Sequence, residues 1–217
     1  LGEVTRWNAP ALVAVNVGVA LPDATITVVG RTDGSGTTAI FTQYLAAASP
    51  RWRQDVGAGK SVRWPVGVGA KGNEGVTAQL QATPGAIGYT ELAYATQIRL
   101  PRAELRNSVG AFVGASSQTV TAAAEAVPMP ASLQVSLASA ASANAYPLSA
   151  YTYLLVYEEV DDATKARALA RFLWWTVHEG QRFTPALDYA PLPPGVVTQV
   201  EGALHRLRGA GKSALIP

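Results

Sequence analysis

The hydrophobic pattern near the start of the chain places a short β-branched run before a longer helical stripe. Residues 26–29, Ile-Thr-Val-Val, are typical of a buried strand and run directly into Gly30 and a polar loop. From Thr38 onward, apolar side chains recur with helical spacing as far as Pro50, which predicts a helix between these two residues. The first unit that the sequence predicts is therefore a strand, a polar loop and a helix.

The same alternation of strand-like and helical segments continues along the chain. We expect further strands over residues 61–68, 86–89 and 151–157, and further helices over 75–82, 161–178 and 196–207. Three segments have a weaker pattern of apolar and polar positions. We interpret residues 92–95 and 122–126 as helices, and residues 130–137 as extended or helical pieces. Because strands that alternate with helices form mostly parallel sheets, the sequence predicts an α/β fold.

A change of composition marks a candidate boundary between two lobes. Residues 136–144 are small, polar and rich in Ala and Ser, and Tyr146-Pro147 follows them. Such stretches are typical of hinges and of links between domains. We therefore predict a larger lobe over residues 1–145, which carries the polar loop, and the C-terminal part of another lobe over residues 146–217.

Composition and charge narrow the classes of function. Apolar residues make up 48% of the 217 residues, which is typical of a folded globular protein. The net charge is +2 and the 17 basic residues form no long run, so nucleic acid is not an expected partner. Because the chain has no Cys, disulfides and thiolate metal sites are excluded. No window approaches the about 20 apolar residues of a membrane-spanning helix.

The polar loop after the first strand reads Arg-Thr-Asp-Gly-Ser-Gly-Thr-Thr over residues 31–38, and it has the chemistry of an anion site. A Gly-rich turn that leaves a strand and enters a helix presents unpaired backbone N–H groups, here those of Gly36, Thr37 and Thr38. Ser35 and Thr37 add hydroxyl donors. The loop is therefore rich in hydrogen-bond donors at a helix N-terminus.

Arg31 adds the charge that an anion site needs. Its guanidinium is a planar fork that matches two oxygens of a tetrahedral oxyanion, and Asp33 is placed to hold that fork. An ordinary turn with a Ser or Thr helix cap explains the same residues equally well. On these residues alone both interpretations stay open.

Other candidate motifs have simpler interpretations. Residues 67–72 match the G-x-G-x-x-G pattern of dinucleotide sites, but the acidic residue expected about 20 positions later has no good candidate at the end of a strand, so we interpret them as a turn beside the loop. His178 and His205 are interpreted as structural, and the acidic residues at 158–162 as helix caps. We therefore expect no catalytic residue, no metal and no cofactor.

Several long motifs recur together and in order. The loop at 31–38 resembles the phosphate-binding loop of the periplasmic phosphate-binding proteins of bacterial ABC importers, the PstS family. Further segments that look like that family, in the same order, are Phe41-Thr-Gln-Tyr-Leu45, Trp64-Pro-Val-Gly-Val-Gly-Ala-Lys-Gly-Asn-Glu-Gly-Val76, Thr83-Pro-Gly-Ala-Ile-Gly-Tyr89, Tyr94-Ala95, Tyr146-Pro147 and Leu187-Asp-Tyr-Ala-Pro-Leu-Pro193. The resemblance covers nearly the whole chain.

The resemblance implies a fold and a set of site residues. The fold is the two-lobed, type II periplasmic-binding-protein fold, with mostly parallel sheets flanked by helices and one lobe incomplete in this chain. The phosphate-binding residues that it implies are Arg31, Ser35, Gly36 and Thr37. The residues that it implies behind them, as support, are Asp33 and Thr38.

The resemblance also implies what the protein does. A member of this family binds inorganic phosphate with high affinity, in the periplasm or lipid-anchored outside the cytoplasm, and delivers it to the permease subunits of an ABC importer. It catalyses no reaction. The alternative is a phosphate-binding sensor or a phosphatase-like protein that reuses the same fold.

One part of the family pattern is absent from these residues. In the family, an N-terminal segment supplies Ser or Thr donors and an Asp that accepts the proton of monohydrogen phosphate. We expect that segment of the same protein to be missing from this chain. We also expect it to complete the sheet of the smaller lobe beside residues 151–156.

Overall fold

The structure is a computed structural model and describes residues 1–138 and 140–215. It divides into two compact units, Leu1–Arg102 and Ala103–Pro217. This division lies upstream of the hinge expected near residue 145, which stays a prediction about the lobes of the whole protein. Among the described residues, no helix is long and apolar enough to cross a membrane.

The first unit is built on a parallel three-stranded sheet. Its strands are β1 (Thr27–Arg31), β2 (Val68–Ala70) and β3 (Ala86–Gly88), in the order β2-β1-β3. Five helices accompany them: α1 (Pro10–Val13), α2 (Gly36–Ala48), α3 (Pro50–Asp55), α4 (Gly72–Ala82) and α5 (Leu92–Gln97). Each strand is thus followed by a helix, which confirms the predicted α/β architecture for this unit.

The strand β1 lies at the centre of this sheet. Val29 pairs in register with Val68 on one side and with Gly88 on the other, and it is fully buried. The β-branched run therefore occupies the most buried position of the sheet, as its sequence predicts. Because β1 is central, the residues that follow it lie between those that follow β2 and β3.

Two helices meet at Pro50. The predicted end of α2 is confirmed, but Pro50 also begins α3, a helix that the sequence pattern did not indicate. The hydroxyl of Ser49 accepts a hydrogen bond from the backbone N–H of Trp52 at 3.1 Å and caps this second helix. Proline at the first position of a helix is favoured because its missing N–H would have no partner there.

The strand predicted over residues 61–68 is wrong. In this part of the chain the strand that pairs with β1 begins only at Val68 and ends at Ala70, and residues 61–67 are irregular. The indole N–H of Trp64 donates to the carbonyl of Arg31 at 3.0 Å, and its ring lies 5.6 Å from that of Tyr89. A tertiary contact of the indole therefore overrides the strand-like local pattern.

The second unit begins with a small hairpin and a helix. The hairpin strands are β4 (Leu105–Arg106) and β5 (Phe112–Val113), and the helix is α6 (Ser117–Glu125). The side-chain amide of Asn107 donates to the carbonyls of Ser142, Ala143 and Ala145 at 3.0–3.3 Å. One buried amide therefore holds the Ala- and Ser-rich segment in place.

The rest of the second unit packs around a long helix. The elements are β6 (Glu159–Val160), α7 (Ala163–Val177), α8 (Pro194–Leu204), β7 (Arg208–Gly209) and β8 (Lys212–Ser213), with short 3₁₀ turns at Glu179–Phe183 and Pro185–Leu187. β6 and β7 are parallel, whereas β7 and β8 are antiparallel. Their core is formed by Ala166, Ala170, Leu173, Leu204, Leu207 and Ala214.

The strand predicted over residues 151–157 is also wrong. These residues form no regular element and pair with no described strand. Leu155 is 96% exposed and Tyr157 is 85% exposed. The sequence favours a strand locally, but a strand also needs a neighbour to satisfy its backbone groups, and none of the described residues supplies one.

Candidate anion-binding site

The polar loop lies at the carboxyl end of β1, the central strand of the parallel sheet. The loop connects β1 to α2, and the turn between β2 and α4 is its neighbour. In open parallel sheets, ligands bind outside the carboxyl ends of the strands, where loops and helix N-termini meet. The loop singled out by its sequence therefore occupies the position where such a fold builds a site.

The guanidinium of Arg31 is held from two directions. Its Nε and Nη2 donate to the two carboxylate oxygens of Asp33, at 2.8 and 2.5 Å, and its Nη1 donates to Oδ1 of Asn73 at 3.0 Å. The side chain of Arg31 is only 9% exposed. These three hydrogen bonds leave further N–H groups of the same fork without a partner among the described residues. The charge is fixed in position, and part of its fork stays available.

Asp33 links the loop to the next helix as well as to Arg31. Its Oδ1 also accepts a hydrogen bond at 3.0 Å from the backbone N–H of Gly72, the first residue of α4. The hydrogen bonds from Arg31 and then from Gly72 hold the pKa of the Asp33 carboxyl well below its usual range. The same ion pair raises the pKa of Arg31. Both groups are therefore fully charged at neutral pH.

Ser35 is the N-terminal cap of α2 and is buried. Its hydroxyl oxygen accepts from the backbone N–H of Thr38 at 3.3 Å, and its own backbone N–H donates to the carbonyl of Lys60 at 2.8 Å. Its hydroxyl proton remains available to a ligand. Ser35 is thus the helix cap of α2, and because its oxygen and its proton serve different partners, capping leaves the proton free for the role that the resemblance implies.

The first two residues of α2 carry the free backbone donors. The backbone N–H groups of Gly36 and Thr37 have no hydrogen-bond partner within the described residues. The hydroxyl of Thr37 lies 3.5 Å from Oε1 of Glu91, a long contact. A helix of 13 residues places the positive end of its dipole at these two groups. The arrangement is chemically suited to an anion.

Thr38 faces the interior. Its hydroxyl forms a 2.7 Å hydrogen bond with the hydroxyl of Tyr89, and its backbone N–H is taken by Ser35. The structure therefore brings Arg31, Asp33 and the helix N-terminus together, with Thr38 behind them. The role of Thr38 as a support of the phosphate site stays a prediction.

Tyr89 was not recognised from the sequence as part of the site. Its hydroxyl accepts a hydrogen bond from the backbone N–H of Arg31 at 3.2 Å and bonds to Thr38. Its ring stacks on Phe41 with centroids 4.5 Å apart, and burial raises the pKa of its phenol. Tyr89 follows β3 directly, so its position after a neighbouring parallel strand was the signal that could have identified it.

Asn73 was likewise missed as a partner of Arg31. It is the second residue of α4, directly after the glycine whose N–H reaches Asp33. The Gly-rich turn at 67–72 therefore contacts the loop, as its interpretation as a neighbouring turn predicts. The two positions after β2 and β3 show that all three strand ends contribute to the same region.

Known proteins resemble this chain in sequence and in fold. A family model described as a PBP superfamily domain matches residues 1–179. The phosphate-binding protein PstS of Xylella fastidiosa (strain 9a5c) is 40% identical over 203 residues, which cover 93% of this chain and 56% of the relative. The phosphate-binding protein PstS of Methanocaldococcus jannaschii is 42% identical over 84% of this chain and 52% of the relative.

Two solved structures share the fold. A human phosphate binding apolipoprotein matches with a TM-score of 0.72 at 20% identity, over 98% of this chain and 68% of that one. A periplasmic phosphate-binding protein bound with phosphate matches with a TM-score of 0.62 at 21% identity, over 93% and 61%. The chain spans about half the length of the curated relatives it matches. The resemblance to phosphate-binding proteins is confirmed, and the chain belongs to the PBP superfamily.

Proposed function

We propose that the protein of which this chain is a part binds inorganic phosphate and delivers it to an ABC importer. The observation that carries the proposal is the partly engaged guanidinium of Arg31 beside the free N–H groups that begin α2. Curated relatives of this chain bear the name phosphate-binding protein, which supports the same ligand.

The donors of the loop suit a tetrahedral oxyanion. The remaining N–H groups of Arg31 would hold two oxygens of phosphate, and Gly36 and Thr37 would donate their backbone N–H groups. Ser35 would add its hydroxyl proton. Because these donors are fixed in position before the ligand arrives, little conformational entropy is lost when it binds.

Further contacts to phosphate would come from another part of the whole protein. One loop approaches an anion from one side, whereas a desolvated phosphate needs partners for all its oxygens. We propose that Ser or Thr donors and an Asp acceptor, in a segment upstream of these residues, provide the opposite side. The Asp would accept the proton of monohydrogen phosphate, which sulfate does not carry at neutral pH.

We place the protein outside the cytoplasm, in the periplasm or at a lipid anchor, with the permease subunits of the importer as its partner. Closure of two lobes around phosphate would present the loaded form to the permease, because phosphate would contact both lobes at once. Neither the binding nor the delivery needs a chemical step, so the protein would not be an enzyme.

Calorimetric titration of the complete protein with phosphate and with sulfate tests this proposal. We expect saturable binding of phosphate at one site, much weaker binding of sulfate, and no hydrolysis of a phosphomonoester. Turnover of the phosphomonoester would instead favour the phosphatase-like alternative. Absence of phosphate binding would overturn the proposal.

A further inference from the structure

Asn73 is a buried amide whose only described side-chain partner is Arg31. The residue is 9% exposed, and its Oδ1 accepts from Nη1 of Arg31 at 3.0 Å. Arginine has only donors, so the oxygen of the amide faces it and the NH₂ group faces elsewhere. The backbone carbonyl of Asn73 accepts a hydrogen bond from the hydroxyl of Thr77 at 2.5 Å, and this bond fixes the residue within α4. The amide therefore holds the guanidinium from a rigid element.

Arg31 already has one carboxylate partner without Asn73, and the nearby charge of Glu74 also raises the pKa of Arg31. Asp33 brings one negative charge against the single positive charge of Arg31, and the N–H of Gly72 supports that carboxylate. A second carboxylate at this point would leave the pair with a net negative charge. Such a charge would repel a bound anion strongly, because the two charges would be close together and partly shielded from water.

Stability alone would favour a carboxylate at this position. Asp has nearly the shape of Asn, accepts the same hydrogen bond from Arg31 more strongly, and is favoured by the dipole in the first turn of a helix such as α4. The amide supplies the hydrogen bond without the charge. The residue present thus suits the binding of an anion better than it suits the stability of the free protein.

We propose that Asn73 is a positioning residue that orients Arg31 while leaving its positive charge available to the bound anion. The inference rests on the proposed phosphate site. Asp33 and Asn73 then have separate roles, because the carboxylate fixes one edge of the fork and the neutral amide fixes a second direction without adding charge. The first turn of α4 therefore influences the affinity for the anion through the loop after β1.

The variant Asn73→Asp in the complete protein separates these effects. We expect its affinity for phosphate to fall by about tenfold or more, because the introduced carboxylate opposes the anion. The melting temperature of the ligand-free variant should equal or exceed that of the wild type. A merely structural role would instead lower both together. Raising the ionic strength should shrink the loss of affinity, because salt screens the added repulsion.

Matched variants complete the experiment. Gln81→Glu adds the same charge at an exposed position near the other end of α4, about 12 Å along the helix, and should bind phosphate like the wild type. Asn73→Ala removes the hydrogen bond without adding charge and should weaken binding less than Asn73→Asp does. In an Arg31→Ala background, Asn73→Ala should have no further effect on affinity, since it acts through the guanidinium.

The outcomes distinguish the two proposals. If the wild-type protein does not bind phosphate, the proposed function fails. If the wild type binds and Asn73→Asp binds as tightly as Gln81→Glu, the inference about Asn73 is overturned although the proposed function stands. Should Asn73→Asp not fold, equal affinities of Asn73→Ala and the wild type would overturn the inference by themselves.

Discussion

At the scale of single residues, the candidate site depends on groups that hold Arg31 and are themselves fixed. The hydroxyl of Tyr89 joins the backbone N–H of Arg31 to the side chain of Thr38 in a buried position. Arg31 and Asp33 could be predicted from the sequence because they lie two residues apart in one loop. Tyr89 and Asn73 could not, because they come from segments more than 40 residues away, which the order of the parallel strands brings near.

The substitution Tyr89→Phe tests this hydroxyl. It leaves the hydroxyl of Thr38 and the N–H of Arg31 without their buried partner, so we expect the free energy of unfolding to fall by about 1–3 kcal/mol. Chemical denaturation measures the change. Tyr94→Phe is the matched control because its hydroxyl bonds to Glu74 at an exposed site, where we expect a smaller loss. Equal losses in the two variants would contradict this role for Tyr89.

His178 gives the second unit a pH-dependent contact. Its Nδ1 lies 2.8 Å from the carbonyl oxygen of Trp174 and its Nε2 lies 2.8 Å from Oε1 of Glu201. Two acceptors on the two ring nitrogens favour the doubly protonated ring, so the carbonyl of Trp174 and then Glu201 raise the pKa of His178 above 6.5. The contact supports the interpretation of His178 as a structural residue at the end of α7.

The sign of the pH effect follows from the raised pKa. The folded state holds the proton more tightly, so this contribution is complete below the unfolded pKa of about 6.5 and is lost as pH rises through the folded value. We expect the unfolding free energy of the wild type, relative to His178→Asn, to decrease between about pH 6 and pH 8. Glu201→Gln should reduce this decrease. A difference that stays constant or grows with pH would contradict the assignment.

At the scale of elements, the best predicted part of the molecule is the strand, loop and helix from β1 to α2. A β-branched run, a serine cap and a proline stop all lie within the segment and agree with one another. The strands expected over 61–68 and 151–157 failed for the opposite reason. In residues 61–68, the indole of Trp64 donates to the carbonyl of Arg31, and in residues 151–157 no described strand lies alongside. Neither long-range feature can be inferred from the local hydrophobic pattern.

The turn before β2 depends on a glycine that brings two backbones close together. Gly67 has φ +102°, and a Cβ there would lie 2.3 Å from the carbonyl oxygen of Val28. We expect Gly67→Ala to lower the unfolding free energy of the first unit by about 1–3 kcal/mol, through strain at this position.

A matched glycine in the same unit provides the control. Gly75 lies within α4, and a Cβ there would meet its nearest neighbour at an ordinary 3.6 Å. Because Ala favours a helix over Gly by about 1 kcal/mol, Gly75→Ala should leave stability unchanged or raise it. Denaturant unfolding of both variants checks the pair, and a loss in Gly75→Ala as large as in Gly67→Ala would refute this explanation.

At the scale of the whole molecule, the two compact units account for about half the length of the curated relatives. We predict that the 217 residues alone bind phosphate more weakly than the complete protein, because the loop approaches the anion from one side only. Parallel calorimetric titrations of the two proteins measure the difference. Equal affinities would show that the donors described here suffice for phosphate binding.

The central claim is that Arg31 holds phosphate, and its most direct test is the affinity of the complete Arg31→Ala protein. Loss of a charge-assisted, partly buried contact should cost several kcal/mol, about a hundredfold or more in the dissociation constant. The matched control is Arg63→Ala, which removes the same charge from an exposed position of the same unit. Calorimetry should show a large loss for Arg31→Ala and near-wild-type binding for Arg63→Ala. Wild-type affinity in Arg31→Ala would contradict the account.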